Sequence, residues 1–316
     1  MLITSFSVLL PVFFVMALGY WAGRTKRFNA DQTRGLNDLV MTFALPSLMF
    51  VAVATTTRNE ITSEMPLLIA IVIAFLGLFI AVCLFSARVM KHNLGASALQ
   101  AFLITFPSVG FFGIPIFRGL FGEGSVLSIT SATVLANLTI TPLLIVLLEI
   151  HMQRSARDET KKLVAVIWKG LANSFSKPLV LAPLSGALFV IFNIDFPDVI
   201  DRMLSLIGST TGGASLFLAG IIVASYSIKI NSDVPLNVFG KMILQPALMA
   251  LLVFLLAIPN PLGREGILMC ALPASAVAPI LAARYQVYEV ESASTVVLDS
   301  LLMVVTFTIV VFATGG

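Results

Sequence analysis

Of the 316 residues, 58% are hydrophobic and only 11% charged, with a mean hydropathy of +1.02, whereas a soluble domain carries about 25% charged residues. This excludes the two soluble domains that length alone would allow and predicts an all-α polytopic membrane protein. The basic balance, a net charge of +3 and a pI near 9.0, could signal nucleic acid, but its distribution along the chain makes it a topology signal instead.

A membrane-crossing helix takes about 20 mostly apolar residues. Ten stretches qualify: 3–22, 36–57, 65–87, 96–117, 126–149, 178–194, 203–227, 235–258, 264–284 and 292–314. The first has no basic leader and no small-residue cleavage site after it, so it reads as a retained span rather than a signal peptide. Its "GYWAG" places Gly19 and Gly23 at the spacing of a close helix contact. Span two carries "ALPSLMFVAVA", with Ser47 beside Pro46. Cys83 in span three and Cys270 in span nine both lie in apolar surroundings and read as inert thiols, neither a disulfide framework nor metal ligands.

Span four contains "TFPSVGFFGIP", residues 105–115. Pro107 and Pro115 remove main-chain donors, while Gly110 and Gly113 permit turns or close approach. Irregular main chain at membrane depth persists only where it is buried in protein or lines a wet cavity. The spacing therefore predicts an unwound segment that offers N–H and C=O groups to a ligand. Span five follows with "SATVLAN", ending on Asn137.

The longest polar connection, 150–177, halves the chain into a first repeat (1–149), a cytoplasmic linker (150–177) and a second repeat (178–316). Within the linker, "KKLVAVIWKGLANSF" sets Leu163, Val166, Ile167, Leu171 and Phe175 on one helical face, which predicts an interfacial helix with Trp168 at headgroup depth. With the N-terminus outside, 15 of the 19 basic residues fall on the cytoplasmic side, Lys177 and Lys241 among them. The other four are Arg58, Arg118, Arg202 and Arg264. By the positive-inside rule both termini are external.

The second half echoes the first. "GGASLFLAGIIVA" in span seven aligns Ser215 with Ser47. "ALPASAVAPILAARY" in span nine sets Pro273 and Pro279 against Pro107 and Pro115, with Ser275 between them. "ASTVVLD" in span ten aligns Asp299 with Asn137. An odd number of spans per half turns the repeats in opposite senses, and interrupted helices at matching positions of inverted repeats mark a transporter's binding site.

Asp299 is the clearest charge inside the membrane. An acid there costs about 3 kcal/mol on insertion scales and is a functional candidate by default, suited to proton coupling. It could alternatively hold sodium with Thr295 or Ser300, or serve as a structural carboxylate bonded to a neighbouring hydroxyl. Arg284 and Arg118 follow the two broken segments and could approach an anion, although helix-end arginines commonly snorkel to the interface. The small polar residues Ser47, Ser108, Asn137, Ser215 and Ser275 complete the candidates. With Pro107, Gly110, Gly113 and Pro273 they would surround a carboxylate held by positive helix ends.

A membrane-embedded enzyme such as a prenyltransferase is the competing class. Its support is "DFPDVID", with Asp195, Asp198 and Asp201, but such enzymes need a second acidic cluster to bridge magnesium to a diphosphate, and the sequence has none. There is also no HExxH, neither His92 nor His151 sits among ligand partners, and no GxxxxGK[ST] loop points to nucleotide. Any energy input should come from an ion gradient.

"PSVGFFGIP" and "LPASAVAP" resemble the two crossover helices of the auxin efflux carrier family. "SKPLVLAPLSG" (176–186) is similar to the opening of that family's second half, and "ALPSLMF" to its second span. The likeness runs over nearly the full length. It implies ten spans in two inverted five-helix repeats, with broken helices four and nine crossing, as in NhaA and the bile-acid transporters. It further implies a scaffold and a transport domain, a small organic anion as substrate, and no cofactor. Among bacterial members the chain looks most like the malonate permeases, a resemblance that implies a dicarboxylate such as malonate carried across a bacterial inner membrane. Proton coupling is the first expectation. Sodium coupling, as in the bile-acid type, or uniport of a monocarboxylate is the alternative, and a homodimer suits the architecture. Family members often carry Asn where this chain has Ser108, a single hydroxyl in place of an amide.

Overall fold

In a computed structural model of the chain, the structure describes residues 2–156, 172 and 175–315. The interfacial helix expected over 161–175 lies outside the described residues apart from Ala172 and Phe175. Every regular element among the described residues is helical. In chain order the main helices are α1 (Leu2–Arg24), α2 (Ala30–Ala54), α3 (Met65–Arg88), α4 (Leu94–Thr105), α5 (Val109–Phe121) and α6 (Ser125–Ala156). They continue as α7 (Pro178–Phe192), α8 (Asp198–Ser225), α9 (Asp233–Leu255), α10 (Leu262–Cys270), α11 (Val277–Tyr285) and α12 (Glu289–Thr314).

Six of these, α2, α3, α6, α8, α9 and α12, are long and apolar enough to cross a membrane by length and composition. The stretch 96–117 is split between α4 and α5, and 264–284 between α10 and α11, so neither supplies one long rod. The breaks fall at Pro107 and Pro273, where a missing N–H and a ring clash stop the helical ladder. Large apolar side chains such as Phe14, Ile191, Phe192 and Phe254 cover the outside, as suits a lipid-facing surface. Phe75, Phe79, Phe102, Phe117 and Phe307 fill the interior.

Glycine sets the closest helix contacts. A Cβ at Gly19 of α1 would strike the Phe217 carbonyl of α8, and one at Gly220 would strike the Met16 carbonyl. The "GYWAG" spacing thus marks a main-chain contact between α1 and α8. On the other side of the bundle α7 packs on α2, where a Cβ at Gly186 would lie 2.7 Å from the Phe50 carbonyl. α3 packs on α4, α9 on α10, and α12 on α9 and α11.

Four π-helical turns occur among the described residues, at Leu39–Ala44, at Ile73–Gly77, at Val109–Gly113, where the turn opens α5, and at Gly240–Leu244. Such turns concentrate at functional positions because the extra residue rotates the side chains that follow. The last of them carries Lys241. The charge count sets that lysine on the cytoplasmic face, but its side chain is fully buried in the bundle.

Candidate binding site at the paired helix breaks

A helix that stops inside apolar surroundings leaves carbonyls and amides without partners. Here the two breaks satisfy each other. After α4, Phe106 turns extended, and Pro107 pairs antiparallel with Ala274 from the break between α10 and α11. The Ser108 N–H donates to the Pro273 carbonyl at 2.8 Å, and the Ser275 N–H donates to the Phe106 carbonyl at 3.1 Å. Pro107 and Pro273, which cannot donate, stand where no donor is needed.

Three buried side chains hold this junction from behind. Lys241 on α9 donates to the Cys270 carbonyl at 3.3 Å and to Gln245 Oε1. Gln245 in turn donates through Nε2 to the Thr105 carbonyl at 2.8 Å. Asp299 on α12 accepts from the Ala274 N–H at 3.3 Å, and its other oxygen, Oδ1, is buried without a partner. The arrangement follows the helix dipoles. Cys270 ends α10, where partial negative charge collects, and meets an ammonium. Ala274 precedes α11, where partial positive charge collects, and meets a carboxylate. Lys241 and Asp299 feel each other's charge but make no direct ion pair among the described residues.

In front of the junction lies a cavity of about 360 Å³, lined in part by Pro107, Ser108, Gly110, Asn137 and Ser275. Ser108, Asn137 and Ser275 are all buried. Asn137 Nδ2 donates to the Thr133 carbonyl at 2.9 Å, while Ser275 Oγ accepts from the Val277 N–H at 3.3 Å. An added Cβ at Gly110 would sit 2.8 Å from Leu45 Cδ2, so glycine lets α2 close over the break. Lys177, directly before α7, also lines the cavity, and burial lowers its ammonium pKa from the ordinary lysine value.

The remaining candidates lie elsewhere. Ser47 is half-buried on α2. Ser215 is fully buried and donates to the Phe111 carbonyl at 3.1 Å, tying α8 to α5. Gly113 faces Leu272 Cδ1, 3.1 Å from where its Cβ would be, so it serves contact between the broken segments. Arg284 is exposed, its guanidinium 5.7 Å from the ring centroid of Tyr285. Arg118 pairs with Glu123 at 2.6 Å.

Lys177, Lys241 and Gln245 were not among the residues singled out from sequence. A lysine at a helix N-terminus opposes the dipole, and one in mid-span is costly; both facts were signals. His92 Nε2 lies 3.3 Å from Asp233 Oδ2 and Nδ1 lies 3.0 Å from Ser86 Oγ.

A multi-pass helical protein whose broken helices enclose a polar-edged cavity defines the class: a membrane transporter. Residues 4–311 match the family described as Membrane transport protein, and the chain belongs to that family, the auxin efflux carrier family. It is 26% identical over 302 residues to the "Uncharacterized transporter YfdV" of Escherichia coli (strain K12), covering 94% of each chain. It is 23% identical over 309 residues to the "Putative malonate transporter" of Rhizobium meliloti (strain 1021), covering 95% of this chain and 93% of the relative. It is also 23% identical over 346 residues to "Auxin efflux carrier component 8" of Arabidopsis thaliana, covering 94% and 93%. Family and relatives are transporters, so the enzyme alternative lapses.

Proposed function

We propose that the chain is a secondary transporter of a small organic anion, malonate or a related dicarboxylate, working by alternating access with proton coupling at Asp299. The observation that carries this reading is the reciprocal main-chain pairing of two helix breaks beside a cavity. Such a junction presents the positive ends of α5 and α11 to one small space. Ser108, Asn137 and Ser275 add short-range donors, and the Lys177 ammonium provides the opposite charge. The malonate relative supports a dicarboxylate.

In this reading the chain lies in a bacterial inner membrane with both termini external, and the cavity opens toward the cytoplasm. The halves 1–149 and 178–316 are inverted repeats. Helix contacts support the correspondence: α1 with α8 matches α7 with α2, and α3 with α4 matches α9 with α10. α1, α2, α7 and α8 form the scaffold, against which the remaining helices move. Protonation of Asp299 weakens its hold on the Ala274 N–H and leaves Lys241 as the uncompensated charge, freeing the junction to shift. Proton coupling is favoured over sodium because the Lys241 ammonium already supplies a fixed cation beside that carboxylate.

Equilibrium binding of malonate, malate and size-matched monocarboxylates to the purified protein tests the site. Dicarboxylates should bind saturably, and Lys177→Gln should weaken them about tenfold, which is about 1.4 kcal/mol. Equal affinity for the variant would locate the substrate elsewhere.

A further inference from the structure

At the end of the bundle remote from Lys177, a second cavity of about 700 Å³ is lined in part by Glu64, Ser128 and Glu265. Glu64 and Glu265 are each only 4% exposed. Glu64 directly precedes α3, and Glu265 lies in the first turn of α10. Between them the start of α6 contributes Ser128, whose hydroxyl donates to Glu64 Oε1 at 2.7 Å and stands beside the Glu265 carboxyl. Ser131 donates to Glu64 Oε2 at 3.2 Å. Glu265 Oε2 is buried with no partner.

Two carboxylates flanking one serine hydroxyl cannot both stay ionised cheaply, since like charges sharing a site raise the proton affinity of one. Three helix N-termini converge here and offset part of the negative charge, which leaves room for one added positive charge. The unpartnered Glu265 oxygen needs a hydrogen to bond. We infer that Glu64 and Glu265 share one exchangeable proton, forming a proton-binding site at this second cavity, separate from Asp299. Burial holds the Glu64 carboxyl above the usual glutamate range, and the Glu265 charge adds to this, against the two serine hydroxyls. The other charged groups facing the cavity are Glu60, Asp201 and the paired Arg118 and Glu123. Glu60 is engaged by Thr57 and Asp201 by Ser205. The use of this proton in transport rests on the proton-coupled reading above; its binding does not.

Infrared titration of the carboxyl band, on protein in nanodiscs without substrate, reads the site. An Asp299→Asn background removes that residue's own signal. A carboxyl should stay protonated above the ordinary glutamate value of about 4.3. Glu64→Gln and Glu265→Gln should each shift the remaining titration down by about one unit or more, and the double variant should abolish it. Should either charge variant fail to fold, Ser128→Ala, which removes a hydroxyl favouring the ionised form, should shift the midpoint up. An unmoved midpoint in all folded variants, or no carboxyl titrating above about pH 5, would overturn the assignment. Saturable loss of the band on adding sodium or calcium at constant pH would also overturn it, making the pair a cation site. A missing band alongside intact proton-driven uptake by the unsubstituted chain would remove this site alone, while a present band with no uptake by the unsubstituted chain would remove the transport reading alone.

Discussion

Replacing Lys241 by methionine keeps most of the side chain's length and deletes the charge that holds the back of the junction. Two buried acceptors, Gln245 Oε1 and the Cys270 carbonyl, lose their donor, and an orphaned buried acceptor costs about 1–3 kcal/mol. The variant also removes the positive charge that acts on Asp299, which is fully buried with one oxygen already unpartnered. Against a total stability of about 5–15 kcal/mol, Lys241→Met should remove about a third. Denaturant unfolding in detergent micelles, followed by circular dichroism, measures the loss. Adding Asp299→Asn to the same chain removes the carboxylate charge, so the double variant should be more stable than the sum of the single effects by about 0.5–3 kcal/mol. Additive single and double effects, or a Lys241→Met loss below about 0.5 kcal/mol, would refute the idea that ammonium and carboxylate compensate one broken helix together.

Gly220→Leu should block folding or expression, because its Cβ would meet the main chain of α1. Gly110→Val should fold but bind substrate more weakly, since its clash is with the movable end of Leu45; expression level and dicarboxylate affinity separate the two. Lys177 is charged below its lowered pKa and neutral above it. Dicarboxylate affinity should therefore fall as pH rises through that value, sooner than an ordinary lysine near about 10.4 would allow. Binding isotherms at alkaline pH check this, with Lys177→Gln insensitive to pH over the same range.

The helix breaks were legible because Pro and Gly act locally: Pro107 and Pro273 stop helices whatever surrounds them, and the structure unwinds at both. The partner of each break was not legible. Nothing at Ser108 states that its N–H will meet the Pro273 carbonyl across the bundle. Ser47 and Ser215 align in sequence, yet one is half-buried on α2 while the other is bonded to Phe111. Arg284 follows a break in sequence but the helix carries it out to the exposed surface. Lys241 is hard to single out in sequence because a basic residue near a span end counts as a topology marker. Its i,i+4 partner Gln245, and Asn237 one turn before, form a polar stripe that helical periodicity could have exposed. Glu64 and Glu265 lie far apart in sequence and meet only through Ser128 in space.

The most direct measurement is uptake of labelled malonate into sealed proteoliposomes under an imposed pH gradient, an imposed sodium gradient, or neither. Accumulation is expected with the inward proton gradient, not with sodium alone, and Asp299→Asn should abolish it while the protein stays folded. Accumulation driven by sodium, or unaffected by the Asp299 change, would contradict proton coupling at the paired helix breaks.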